Sequence, residues 1–213
     1  MRVTLRRVQR TVPFGYGKFI ITLPEPRSCM VLIDTRDIPA EYTKSSKNMK
    51  PVKTYRHHTA TVNDVAHHPI HSMWIGAVSD DLTFQMIDTR LADGKVAFKI
   101  AAHNDAVNAL AFHPQWETLL ATGSADKSIA LWDLRNTSQP VHRLEHHNDA
   151  VIKLEFSPHE PAILASASYD RRINFWDLSK VGEEQTQEDA DEGPPELYVH
   201  LSETCSLSQI LIH

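Results

Sequence analysis

The chain has 213 residues, 41% of them hydrophobic and 23% charged, with a formal net charge of −5; that is apolar enough for a packed core and excludes a globally disordered polymer. No stretch approaches the ~18 apolar residues of a membrane span, and two cysteines, Cys29 and Cys205, make neither a disulfide framework nor a zinc clamp, so the chain reads as intracellular. The charge is uneven: residues 181–213 carry eight acids and no Lys or Arg, leaving 19 acids against 22 bases before them, which suits a basic protein partner for the acidic end and not direct binding to nucleic acid.

The first residues contain Arg2, Arg6, Arg7 and Arg10, with no acid before Glu25. This resembles a mitochondrial transit segment and reads more simply as a degraded strand or an alternative start. Ser28-Cys-Met-Val-Leu-Ile-Asp-Thr-Arg reads as strand, ending on Ile33-Asp34, and a polar loop at 41–48 follows it. Residues 1–57 are therefore expected to form a degenerate partial repeat and a linker.

From His58 onward the chain repeats itself. His58, His103 and His147 open three units, 45 and 44 residues apart. Each His is followed after 21 residues by Ser79, Ser124 or Ser168, and after 23 by Asp81, Asp126 or Asp170. After 30 comes Asp88, Asp133 or Asp177, preceded by Ile87, Trp132 and Trp176 in turn. Ten residues after each His stands His68, His113 or Ser157, always before Pro. Within the second unit, 107–112 alternates, 113–114 turns, 119–124 is a buried run, and 125–127 is a tight turn. A third strand is expected over 128–134 and a fourth over 140–145. Four short antiparallel strands in ~44 residues are the signature of a propeller blade. The units are 58–102, 103–146 and 147–180.

The His…Ser-x-Asp…Trp-Asp pattern resembles the WD-repeat β-propeller family. The resemblance implies buried hydrogen-bonded tetrads at His103, Ser124, Asp126, Trp132 and at His147, Ser168, Asp170, Trp176. A weakened set, His58, Ser79 and Asp81, lacks the Trp. Indole N–H to hydroxyl, hydroxyl to imidazole and imidazole to carboxylate would satisfy every buried donor. A seven-bladed parent at this repeat length needs roughly 300 residues, so the expectation is an all-β, incomplete arc of three to four blades, truncated at both ends.

The stretch Trp176-Asp-Leu-Ser-Lys-Val-Gly-Glu-Glu-Gln-Thr-Gln-Glu-Asp-Ala-Asp-Glu-Gly-Pro-Pro-Glu-Leu narrows the resemblance. It is similar to an insertion in the histone-binding WD-repeat proteins related to the retinoblastoma-binding proteins. That group includes the type B histone acetyltransferase subunit 2 and the small subunit of chromatin assembly factor 1. Thr61-Val-Asn-Asp-Val, Val78-Ser-Asp-Asp and the run Ala121 to Arg135 are similar to its middle blades, so the resemblance spans about residues 50–199. It implies a nuclear scaffold, with a cytoplasmic pool, that carries no cofactor, performs no catalysis, joins chromatin-modifying complexes and clamps the first helix of histone H4. The loop 181–199 would supply Glu188, Asp189, Asp191, Glu192, Pro194, Pro195 and Leu197. Residues 200–213 diverge. A second family site, for the histone H3 tail, is expected to be weak, with Asn63, Ala106 and Ala150 at the comparable positions.

Four other readings are open to the residues. Ser, His and Asp together suggest a hydrolase triad, but one trio recurs at fixed spacing in three units, with no G-x-S-x-G elbow. The His doublets at 57–58, 67–68 and 146–147 suggest a metal, yet repeat positions account for them and none is expected. Trp132-Asp-Leu-Arg135 resembles the box by which WD-repeat substrate receptors dock a cullin-type ubiquitin ligase, the alternative function. A non-functional fragment is the remaining one.

Overall fold

The computed structural model describes residues 18–23, 29–34, 53–91, 96–182, 194 and 197–202. Expectations for Arg2, Arg6, Arg7, Arg10, the 41–48 loop, Glu188, Asp189, Asp191, Glu192, Pro195 and the tail after 202 lie outside them.

The described residues form four antiparallel sheets, each a meander of neighbours in sequence. A three-stranded sheet comes first, β1 (Lys18–Leu23), β2 (Cys29–Asp34) and β3 (Lys53–Tyr55). Its β2 covers the run that ends on Ile33-Asp34, paired on both sides. The first full blade holds β4 (Val62–His67), β5 (Trp74–Ser79), β6 (Thr83–Asp88) and β7 (Val96–Ala101). The second holds β8 (Val107–Phe112), β9 (Leu119–Ser124), β10 (Ser128–Asp133) and β11 (His142–Glu145). The third holds β12 (Val151–Phe156), β13 (Ile163–Ser168), β14 (Arg172–Asp177) and β15 (Leu197–Ser202). This is the partial propeller that the repeat implies.

One boundary differs from the sequence reading. β15 pairs along β14 from Trp176↔Leu197 to Arg172↔Ser202, so the fourth strand of the third blade lies across the junction of the expected loop and tail. The repeat that begins at His147 closes only after the acidic insertion.

Packing between blades follows from sheets that are buried on both faces. Every residue of β6, all of β9 but Leu119 and all of β10 but Asp133 are buried, the polar Gln85, Thr122 and Ser128 among them. Phe84, Leu110 and Trp132 share the core between the first and second blades; Ile129, Leu154 and Trp176 share the next. Two glycines mark the closest approaches. A Cβ on Gly76 would lie 2.6 Å from Cζ of Phe112, and one on Gly123 would lie 2.6 Å from Cγ1 of Val151. No side chain fits either place.

The innermost strands share a bulge. Pairing skips Asn63 between Val62 and Asp64, Asn108 between Val107 and Ala109, and Ile152 between Val151 and Lys153. The extra residue re-aims its side chain. Nδ2 of Asn63 donates to the Val107 carbonyl at 3.0 Å, and Nδ2 of Asn108 donates to the Val151 carbonyl at 3.0 Å. The first two bulges thus tie the first blade to the second and the second to the third.

Candidate functional site

The conserved-spacing residues of the repeat meet inside the blades as polar struts, with one substitution of parts. In the second blade Nε1 of Trp132 donates to Oγ1 of Thr122 at 3.0 Å, and that hydroxyl lies 2.9 Å from Nε2 of His103. Nδ1 of His103 in turn reaches Oδ2 of Asp126 at 3.2 Å. The third blade repeats this with Trp176, Ser166, His147 and Asp170 at 2.8, 2.7 and 3.0 Å. The hydroxyl is therefore Thr122 or Ser166, not the expected Ser124 or Ser168. Those serines stand two residues further along the same strand face. Ser124 Oγ donates to the Ala106 carbonyl at 2.9 Å and accepts the Asp126 amide, and Ser168 likewise binds the Asp149 carbonyl and the Asp170 amide. They hold the turn that carries the aspartate.

The first blade has the weakened set. Nδ1 of His58 meets Oδ2 of Asp81 at 2.9 Å, but Ala77 occupies the hydroxyl position and Ile87 the Trp position. The buried Nε2 of His58 consequently makes no hydrogen bond. Ser79 Oγ accepts the Asp81 amide at 3.2 Å, as its counterparts do.

Burial holds His58, His103 and His147 below the ordinary imidazole pKa, against the pull of their aspartates. For Asp81, Asp126 and Asp170 burial acts upward, but hydrogen bonds from nearby hydroxyls, amides and imidazoles outweigh it and hold the carboxyls low. The result is neutral imidazole on ionised carboxylate. Thr122 is fully buried and Ser166 is 1% exposed; each already accepts an indole N–H, so these trios act as internal struts.

The histidines before proline form a second set of ties. Nδ1 of His68 accepts the amides of Ile70 and His71 at 3.2 and 3.0 Å, so the ring proton sits on Nε2, which donates to the Glu117 carbonyl at 2.8 Å. His113 does the same, with the amides of Gln115 and Trp116 and the Pro161 carbonyl at 2.8 Å. Each imidazole organises its own turn and grips the next blade. Among the described residues no group of three or more His, Cys, Asp or Glu is placed to hold a metal ion, and no helix is long and apolar enough to cross a membrane.

Of the residues assigned to the weak second site, Asn63 bonds through its side chain and the two alanines through their backbone carbonyls. Asn63 lies in β4, and its carboxamide also donates to Oδ1 of Asp80 at 2.6 Å. The Ala106 carbonyl takes Ser124 and the Ala125 amide, and the Ala150 carbonyl takes the Tyr169 amide. Arg135 of the Trp-Asp-x-Arg box forks onto Asp133 through Nε and Nη2, at 3.1 and 2.7 Å, and Arg90 forks onto Asp88 in the same way. The two arginines hold Asp88 and Asp133 down to about 2.

At the acidic segment the structure shows the two attachment points. On one side Asp177 caps a short 3-10 turn, Leu178–Lys180, through the Ser179 amide. On the other, the Pro194 carbonyl accepts the Leu197 amide at 2.8 Å, and Leu197 packs on the core between the second and third blades. Pro194 and Leu197 are thus fixed at the foot of β15, and the intervening carboxylates leave from and return to one blade.

Residues 28–209 match a family model described as the N-terminal domain of nucleolar protein 10-like proteins, a β-propeller. The match spans most of the chain, from β2 past β15. It agrees with the WD-type repeat and with a protein-interaction scaffold, a kind of domain that is generally non-catalytic. It does not extend to the histone-binding group that the acidic insertion resembles.

Proposed function

We propose that this chain, which belongs to the nucleolar protein 10-like, N-terminal domain family of β-propellers, is a nuclear, non-catalytic scaffold whose acidic insertion binds a basic helix, that of histone H4, for chromatin assembly, acetylation or deacetylation complexes. The observation that carries this reading is the charge of the insertion set against its anchoring. Eight acids and no Lys or Arg follow residue 180, and the segment between 183 and 193 starts and ends on the fixed third blade. A run of carboxylates tethered at both ends to one blade suits an Arg- and Lys-rich helix, because guanidinium–carboxylate pairs are the stronger kind of hydrogen-bonded contact. Exposed ion pairs are individually worth about 0–1 kcal/mol. Leu197 and the proline pair must therefore contribute apolar contact beside Glu188, Asp189, Asp191 and Glu192.

The family's printed name belongs to a nucleolar protein, which favours a nuclear location for this chain. The test is co-precipitation from nuclear extract of wild type and of a Glu188→Lys, Asp189→Lys variant. Recovery of histone H4 with the wild type alone supports the proposal; equal recovery or none contradicts it.

A further inference from the structure

The exposed apolar side chains are unevenly placed. Among the described residues, Ile70, Met73, Leu91, Trp116 and Val141 are exposed at one end of the first two blades, whereas Leu82 and Tyr169 are exposed at the other. In an antiparallel meander the connections β4–β5 and β6–β7 share one end. The Thr89 amide confirms it by donating to the Met73 carbonyl at 2.9 Å, and in the second blade the Leu134 amide donates to Thr118 at 2.8 Å. The bond from His68 to the Glu117 carbonyl joins the two ends into one surface.

That surface is also preorganised. The indole of Trp116 is stacked on the buried His113 ring at 4.4 Å and 10°, while the residue stays 51% exposed. One face is packed and the other is offered to solvent. Arg90 and Arg135 stand at equivalent positions of the two blades, side chains 65% and 76% exposed, each locked by Nε and Nη2 to its own aspartate. Nη1 of neither makes a hydrogen bond among the described contacts. The exposed carboxylate beside Trp116, that of Glu117, is already bound by His71 at 2.6 Å.

We propose that this end of the first and second blades is a docking surface for a protein segment that combines carboxylates with large apolar side chains. The carboxylates accept from the free edges of Arg90 and Arg135, and the apolar side chains cover Trp116, Ile70 and Met73. Trp and Arg are the residues that dominate interface energies, and exposed apolar patches rimmed by polar groups mark contact surfaces. Guanidinium groups already held in place lose little freedom when a second carboxylate binds. The partner's charge is opposite to that of the helix proposed for the acidic insertion, so the two sites do not compete.

The test is selection of a phage-displayed twelve-residue peptide library on the full chain. Its selected peptides are then titrated against wild type, Trp116→Ser and the Arg90→Glu, Arg135→Glu double variant. All three are checked for a cooperative melt, and Arg90→Gln with Arg135→Gln, which keeps a donor beside Asp88 and Asp133, controls for the loss of the two ion pairs. The expected result is enrichment of peptides that interleave Asp or Glu with Leu, Phe or Trp, and binding weakened at least tenfold by either change. No enrichment, basic or uncharged selected peptides, or binding indifferent to both changes overturns the proposal. So does self-association of the wild type that is lost in Trp116→Ser, which would make the occupant a second copy.

Discussion

Asp64 and Lys153 are the third residues of β4 and β12, two blades apart, and their side chains meet at 3.4 Å over the intervening β8. The residue at that position of β8 is Ala109, which leaves room for the lysine to reach across. Oδ2 of Asp64 also accepts the Leu110 amide at 3.3 Å, so one carboxylate touches all three blades.

Both charges are mostly shielded, with side chains 14% and 19% exposed, so the pair should couple more strongly than a surface pair and still fall short of a buried one. A double-mutant cycle of Asp64→Asn and Lys153→Met, followed by urea denaturation, should give a coupling of about 1 kcal/mol. Strict additivity would show that the first and third blades are not joined there.

Thr122 should matter more than Ser124. Thr122→Val keeps the shape and strands both the Trp132 N–H and Nε2 of His103 in the core, at a cost of about 2–3 kcal/mol. Ser124→Ala removes a hydroxyl that serves backbone groups and should cost about 1 kcal/mol. Equilibrium unfolding of the two variants checks the order, and the reverse order would put the tetrad hydroxyl back at Ser124. In the first blade the same logic runs the other way. Ala77→Ser supplies the missing partner of His58 and should raise stability by up to about 1 kcal/mol.

Stability should fall as the solution is acidified below neutrality. His58, His68, His103 and His147 are all held below the ordinary imidazole value by burial. Between those lowered values and ~6.5 the unfolded chain binds more protons than the folded one, so folding weakens as pH drops through that window. The denaturation midpoint at pH 5.5 should lie below that at pH 7.5. Asp81, Asp126 and Asp170, also held low, extend the loss below pH 4. A midpoint that rises on acidification would contradict neutral buried histidines.

Each blade carries a strained turn residue at the same position: Leu82, Lys127 and Arg171 have φ of 68°, 74° and 65°. A left-handed L-residue costs roughly 1–2 kcal/mol, and glycine loses about 0.5–1 kcal/mol in chain entropy. Lys127→Gly should therefore stabilise by about 0.5 kcal/mol, read as a higher melting temperature. A lower one would mean that the lysine side chain supports the turn.

The repeat was legible because three units keep one spacing, and that spacing is what blade geometry demands. The tetrad hydroxyl was misplaced for a specific reason. Positions 122 and 124 lie on one face of β9, since side chains alternate with period two, and only the pairing register separates them. Trp132 pairs with Leu120 and Ala130 with Thr122, which puts the indole on the diagonal to Thr122. The recurrence of Ser at all three units drew the assignment to 124, whereas position 122 reads Ala77, Thr122 and Ser166 across the units. The fourth strand of the third blade was obscured by the acidic insertion, which separates β14 from β15 and breaks the 44-residue period. The bulged asparagines and the His68 and His113 ties depend on contacts between blades, to which no spacing within one unit points.

The central claim concerns the acidic insertion, and the most direct test is a fluorescence anisotropy titration of a labelled first-helix peptide of histone H4 at two salt concentrations. The account predicts saturable binding by the full chain, weakened by salt as screening requires and abolished by Glu188→Lys with Asp189→Lys. Binding that survives charge reversal, or no binding by either protein, would contradict it.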